Sequence, residues 1–391
     1  MAEREGETTD STARSSTLRK KRMLKSLLLL VALVSGSRCF PASDNSPKEH
    51  RSNWPCPVDT AIAPCVCTID EDENMFLDCS EVSDEQTLAK IFTQDSSFPF
   101  LKFTYLTISP SLPSRELDAL PAGVFGAVRF ENVLINGTFI ETIEAETFRN
   151  SRETLMTLDL SNNLISVFPF ETIPSFVYLR ALSLANNNLA DMVGELPDIV
   201  SDSLRIFTLA GNSGLSLTPS TFSQMKIVEE LHLQNMRLES IPPNVFSRLD
   251  HIHTIDLSYN DFFGELIQNF TNPPSHRLRM IHLDNNKLFS IHPMAITGLN
   301  SIAQVDLRNN RITELGKENW SSLLDDVIRD NAIDLRDNPR LKCGCDVYWL
   351  VADRQQMVKV HEDTVCHSGE RLHDLPLSYF EDHCPSGPAL W

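Results

Sequence analysis

The chain has 391 residues, 41% hydrophobic and 22% charged, with 34 Lys+Arg against 53 Asp+Glu for a formal charge of −19. Such a composition can bury a core and does not describe a disordered chain. The first 39 residues hold eight of the bases and four of the acids, so the remainder stands at −23. A body that acidic repels phosphate backbones and anionic lipid heads, which argues against a nucleic-acid partner.

At the N-terminus, "RKKRMLKSLLLLVALVSGSRC" sets a basic run before an apolar run, Leu27 to Val34, and then small residues. This is the layout of an export signal, and Met23 would itself begin one of ordinary length. The apolar run is far shorter than the ~20 residues that span a bilayer, so no membrane span is expected. The C-terminal "HCPSGPALW" offers no apolar tail. The expected product is secreted, with 1–39 as signal region, 40–55 as linker and 385–391 as tail.

Nine cysteines fit an oxidising compartment. Cys39 belongs to the signal region. The rest form two groups of four, Cys56, Cys65, Cys67, Cys79 and Cys343, Cys345, Cys366, Cys384, with none between. Four at each end is what two stapled caps require, over 56–100 and 343–384. Within the first, "DEDENMFLDCSE" sets Asp70, Asp72, Asn74 and Glu81 at calcium-loop offsets. Met75 stands where that loop needs glycine, so a solvated acidic hairpin is expected instead.

Between the caps the aliphatics follow neither a helical nor a strand period. In "VEELHLQNMRL", Val228, Leu231, Leu233 and Leu238 fall at spacings of three, two and five. The pattern L-x-x-L-x-L-x-x-N-x-L recurs in "LMTLDLSNNLI", "LRALSLANNNL", "IHTIDLSYNDF", "LRMIHLDNNKL" and "IAQVDLRNNRI". Its fourth positions are Leu106, Val133, Leu158, Leu182, Phe207, Leu231, Ile255, Ile281, Val305 and Ile333, separated by 24 to 28 residues. Each unit exposes apolar surface it cannot bury alone, so the units must stack and share one core. In x-L-x-L-x a short strand turns two leucines inward and the x residues outward. The column Asn163, Asn187, Asn212, Asn260, Asn286, Asn310 and Asn338 sits where the chain turns in, and its amides can satisfy both N–H and C=O groups there. Thr138 and Met236 interrupt the column. Methionine cannot hydrogen-bond this way, and a local irregularity is expected at 236.

The pattern resembles the leucine-rich-repeat family over about 101–342. The resemblance implies an α/β solenoid, a horseshoe with a concave parallel β-sheet of about ten strands. The flanking segments "CPVDTAIAPCVCTIDEDENMFLDCS" and "LKCGCDVYWLVADRQQ" resemble the family's cysteine-rich N- and C-terminal caps. Their usual pairing implies disulfides Cys56–Cys67, Cys65–Cys79, Cys343–Cys366 and Cys345–Cys384. The N-terminal cap with "SDEQTLAKIFTQDSSFPF" and "LPAGVFGAVRFENVLINGT" further resembles the non-catalytic subunit of Oplophorus-type luciferin 2-monooxygenase and related arthropod secreted proteins. That likeness is concentrated in residues 54–150.

No H-E-x-x-H, G-x-S-x-G, P-loop or G-x-G-x-x-G fingerprint occurs, and no catalytic residue, cofactor or metal is assigned. The outward residues are the candidates for function. Between the paired leucines stand Asp159, Ser183, Thr208, His232, Asp256, His282, Asp306 and Asp334. On neighbouring strands His232, Asp256, His282 and Asp306 could alternate as a ladder. Zinc is disfavoured, because structural sites space their ligands more closely. A pH-sensitive recognition strip and a mere preference of the repeat for aspartate both stay open. Beside this column Ala181, Ala185, Ile206 and Ala210 suggest a small apolar patch, and Met280 and Arg308 join the ligand-binding candidates. The sequons at Asn136, Asn269 and Asn319 are glycosylation acceptors, Asn136 facing the concave side. The expected function is binding of an extracellular protein ligand through the concave sheet. The alternative is a non-catalytic subunit carried by a secreted enzyme.

Overall fold

A computed structural model describes residues 54–93, 98–190 and 194–384. The signal region, most of the linker and the tail lie outside the described residues. Those described fall in one unit, Asn53–Trp391.

Its frame is a twelve-stranded sheet whose members follow chain order. Ten parallel strands are centred on the ten fourth-position residues named above, each in register with the next. The other two belong to the N-terminal cap. Val66–Ile69 pairs antiparallel with Met75–Asp78, which in turn pairs parallel with Lys102–Ile108. The cap therefore extends the sheet and closes an edge that would otherwise invite another chain.

Leu158, Leu182, Phe207, Leu231 and Ile255 are all buried, as are the following inward residues Leu160, Leu184, Leu209, Leu233 and Leu257. The return segments contribute a second apolar row. In "SIPPNVFSRL", Ile241, Phe246 and Leu249 are buried, and Phe246 stacks on Phe222 of the preceding coil. Near the N-terminus this row becomes aromatic, with Phe92, Phe125 and Phe130 meeting edge to face. Helix Glu85–Thr93 supplies Phe92, together with Leu88 and Ile91. Gly126 lets the next coil approach it: φ is +52°, and a Cβ there would fall 2.2 Å from the Phe92 carbonyl oxygen.

The asparagine column works as its chemistry requires. Each Nδ2 donates to two leucine or isoleucine carbonyls, one in its own coil and one in the coil before. Asn187 reaches Leu184 O at 3.0 Å and Leu160 O at 2.9 Å, and its Oδ1 accepts the Ile165 N–H. Thr138 joins the network by donating to Asn163 Oδ1. At Met236 the structure departs as expected. In the other coils the residue before the column turns left-handed and the one after it does not, whereas here both Asn235 and Arg237 do, at 58° and 59°. The Met236 carbonyl then accepts the Gly214 N–H at 3.1 Å, a backbone oxygen doing the work of the missing amide oxygen.

Both ends are stapled by Cys56–Cys67, Cys65–Cys79, Cys343–Cys366 and Cys345–Cys384, the pairing that the caps' resemblance implies. The acidic segment is a hairpin turn. Asp70 accepts the N–H groups of Asp72 and Asn74 and the Asn74 side-chain amide, and these bonds hold its carboxyl below the usual range. The carboxylate that would lead a calcium loop thus holds its own turn instead.

Candidate functional site

The concave face is a set of rows running across the strands. The middle row begins at Asp78, Thr107, Leu134 and Asp159 and ends at His282, Asp306 and Asp334. His232 lies opposite Asp256, Asp256 opposite His282, and His282 opposite Asp306. The register therefore matches the alternation, but the contacts differ from a simple ladder. His232 turns to Glu230 on its own strand, Nε2 to Oε2 at 3.4 Å, and this bond lowers the Glu230 carboxyl against the opposing effect of burial.

His282 sits among carboxylates. Its Nδ1 is 3.9 Å from both Asp284 Oδ1 and Asp306 Oδ2, an ion-pair distance rather than a hydrogen bond. Burial opposes its charging, but contact with Asp306 and the charges of Asp256 and Asp284 outweigh it, so its pKa lies above the ordinary value. Asp284 is raised by burial and then by the like charge of Asp306. Asp306 goes the other way. Burial would raise it, yet His282 and the Arg308 guanidinium hold it far below the usual range. Arg308 grips it with Nε at 2.9 Å from Oδ1 and Nη2 at 2.6 Å from Oδ2. Arg308 also lies 3.4 Å from Asp334, which Arg336 holds in the same two-pronged way.

His282, Asp284 and Asp306 each bring a donor atom within 4.8 Å of the others, the arrangement a cation site would need. Both Asp306 oxygens already accept from Arg308, so the chain's own guanidinium occupies that role.

Several of the residues picked out by sequence take other parts. Asp306 is only 7% exposed, and both of its oxygens accept from Arg308. Ala185 and Ala210 are buried, which leaves Ala181 and Ile206 of the expected patch half-exposed. Asp159, Ser183 and Thr208 are buried as well. His232, Asp256, Met280, His282 and Arg308 remain half-exposed on the face. Asn136 is half-buried, its Oδ1 accepting from Ser109. Asn269 lies in a turn and Asn319 on helix Lys317–Asp325.

One feature escaped the sequence reading. At the N-terminal end of the face Phe76 lies opposite Tyr105, and their rings stack with centroids 5.3 Å apart and planes 6° apart. Leu134 stands in the adjoining row, half-exposed like them. The signal was present in "MFLD" and "FTYLTI", whose alternation turns Phe76 and Tyr105 away from the core. Phe76 lies in the cap rather than in a repeat, so the repeat pattern alone does not point to it.

The leucine-rich-repeat description of protein families matches residues 129–189 and 202–262. The ten stacked strands and the asparagine column carry the same unit through the rest of the array. The chain has the leucine-rich-repeat fold. It is 29% identical over 334 residues to the Oplophorus-luciferin 2-monooxygenase non-catalytic subunit of Oplophorus gracilirostris, covering 84% of this chain and 88% of the relative. The likeness therefore runs well beyond residues 54–150, where the motifs that suggested it lie. Over 110 residues it is 34% identical to podocan-like protein 1 of Homo sapiens, covering 27% of this chain and 21% of that one. A chain of the Drosophila Toll–Spatzle complex superimposes with a TM-score of 0.48 and 17% identity, over 70% of this chain and 41% of its own.

Proposed function

We propose that this is an exported binding protein whose concave face receives a protein partner and which performs no chemistry itself. The observation that supports it is the graded face. It has a stacked aromatic pair with Leu134 at one end, a small half-apolar centre at Ala181 and Ile206, and a charged network around His282, Arg308 and Arg336 at the other. Protein interfaces favour this mixture, with rigid aromatic anchors beside a polar rim. Among the described residues Glu230 pairs with His232, Asp306 with His282 and Arg308, Asp334 with Arg308 and Arg336, and Asp256 accepts from Ser258, while all eight cap cysteines are in disulfides. The disulfides fit an oxidising compartment, and no described helix is long and apolar enough to cross a membrane. A glycan on Asn136 would stand between the aromatic end and the centre and confine the partner to one of them.

The test is capture of partners from the native secretion by wild type and by a Phe76→Ala, Tyr105→Ala, Met280→Ala variant. All three side chains face outward, so the variant keeps its fold. Loss of the captured protein is expected. Undiminished capture would move the binding surface to the convex side or the caps.

A second reading makes the partner an enzyme, with this chain as its non-catalytic companion. It rests on the name of the Oplophorus relative and on coverage of nearly that whole protein. The discriminating observation is whether the captured protein keeps a catalytic activity after this chain is removed.

A further inference from the structure

Along one rim of the concave face, at the start of the strands, runs a line of backbone hydrogen bonds distinct from the face itself. Arg205 N–H donates to Arg180 O, Glu229 to Arg205 O, His253 to Glu229 O and Arg279 to His253 O, at 2.7 to 2.8 Å. Arg180, Arg205, Glu229, His253 and Arg279 therefore occupy consecutive rungs, spaced about 4.8 Å apart, over roughly 20 Å. Arg180, Arg205 and Arg279 are exposed. The one acid of the line, Glu229, is bound to Arg205. Arg277 lies just outside it, donating to His251 Nδ1 at 3.0 Å. Among the described residues Arg180, Arg277 and Arg279 form no ion pair, although the chain has a large excess of acids. Burial and then the charges of Arg279 and Arg277 press His253 toward its neutral form, although Glu229 and Glu230 pull the other way. Arg180, Arg277 and Arg279, set along one rim of an acidic protein without counter-ions among the described residues, call for an anion from outside.

We propose that this rim binds a linear sulfated or carboxylated polysaccharide. The shape of the site selects a thin polymer. Glu230 stands in the row next to the rim but turns to His232, and Asp256, the nearest acid of the middle row, is three residues along the strand from His253, about 10 Å away, which exceeds the ~8 Å Debye length of physiological salt. A narrow chain laid on the rim meets the arginines and is screened from the acidic face. A folded acidic protein would straddle both and be repelled. Arginine's planar fork suits sulfate and carboxylate alike. Single-stranded nucleic acid fits less well, since it needs successive aromatic platforms and the rim offers only Tyr178 among the exposed aromatics.

The probe is an end-labelled heparin decasaccharide titrated against the full secreted protein. Binding is expected at low salt and should weaken steadily as salt rises, and Arg277→Glu with Arg279→Glu should reduce affinity by about tenfold or more. Arg340→Glu, an exposed cation past the asparagine column at the opposite ends of the strands, should leave it unchanged, as should the Phe76, Tyr105 and Met280 variant, which separates this site from the concave one. Absence of binding, or an equal loss in Arg340→Glu, would overturn the site. Single-stranded DNA of equal charge binding as tightly would overturn the class of ligand. Circular dichroism of each variant excludes misfolding as the cause.

Discussion

Replacing Asn260 by alanine should cost more stability than replacing Asn286, although both occupy the same place in the repeat. The reason is the gap at Met236. In an unbroken stretch each turn carbonyl accepts two amides, its own coil's and the next coil's. Leu257 O receives both Asn260 and Asn286, and Leu283 O receives Asn286 and Asn310. Losing Asn286 thus leaves each carbonyl one partner, and only the Phe262 N–H is orphaned. Leu233 O has Asn260 alone, because Met236 brings no amide. Asn260 Oδ1 also accepts two N–H groups, those of Met236 and Leu238, each at 3.0 Å. With about 1–2 kcal/mol for each buried group left unsatisfied, Asn260→Ala should lose roughly 4 kcal/mol and Asn286→Ala roughly 2. Urea unfolding with comparable m-values reads the difference. Repeat arrays can unfold in parts, so amide exchange at Met236 and Leu238 provides the local control. Equal losses in the two variants would refute the account of the column as a shared network.

The His282 cluster has a pH signature. Its pKa is raised in the fold, so its contribution is fully present below the unfolded value near 6.5 and is lost as pH rises through the folded one. The Asp306 contribution, from a depressed pKa, is present above about 3.8 and is lost in acid. The stability advantage of wild type over His282→Gln should accordingly peak between these limits, and a difference constant from weakly acid to neutral pH would count against it. Arg308→Ala removes a positive charge from the same carboxylates, so the His282 pKa should rise further, as an NMR titration would show; a fall would contradict the arrangement. Thiol labelling of the native protein should reach none of the eight cap cysteines until it is denatured or reduced.

The fold was legible because its signal lies in residues that face inward. Leu231 and Leu233 are fixed by the need to fill one shared core, and Asn260 by the need to satisfy a turn, so each leaves the same letter in every coil. The irregularity at Met236 could be foreseen for the same reason, since a missing amide has a definite consequence. Outward residues obey no such rule. Sequence placed Asp306 and Ala210 on the face correctly by register, but burial also depends on what the neighbouring turns cover, and both are nearly closed off. The grip of Arg308 on Asp306 joins residues two apart on one chain, a choice of rotamer that no periodicity records.

Charge shows the same division between average and arrangement. A formal charge of −19 describes how the molecule meets a distant ion, but within a Debye length only local order counts. The parallel sheet converts a spacing of 24 to 26 residues in sequence into one of about 4.8 Å in space. Arg180, Arg205, His253 and Arg279, scattered among acids when read along the chain, become one edge, while Asp256, Asp306 and Asp334 become another row. A solenoid of this kind can thus present surfaces of opposite sign a few residues apart on the same strands. The concave face and its rim are separable sites for that reason, and substitutions in one should leave the other's binding intact.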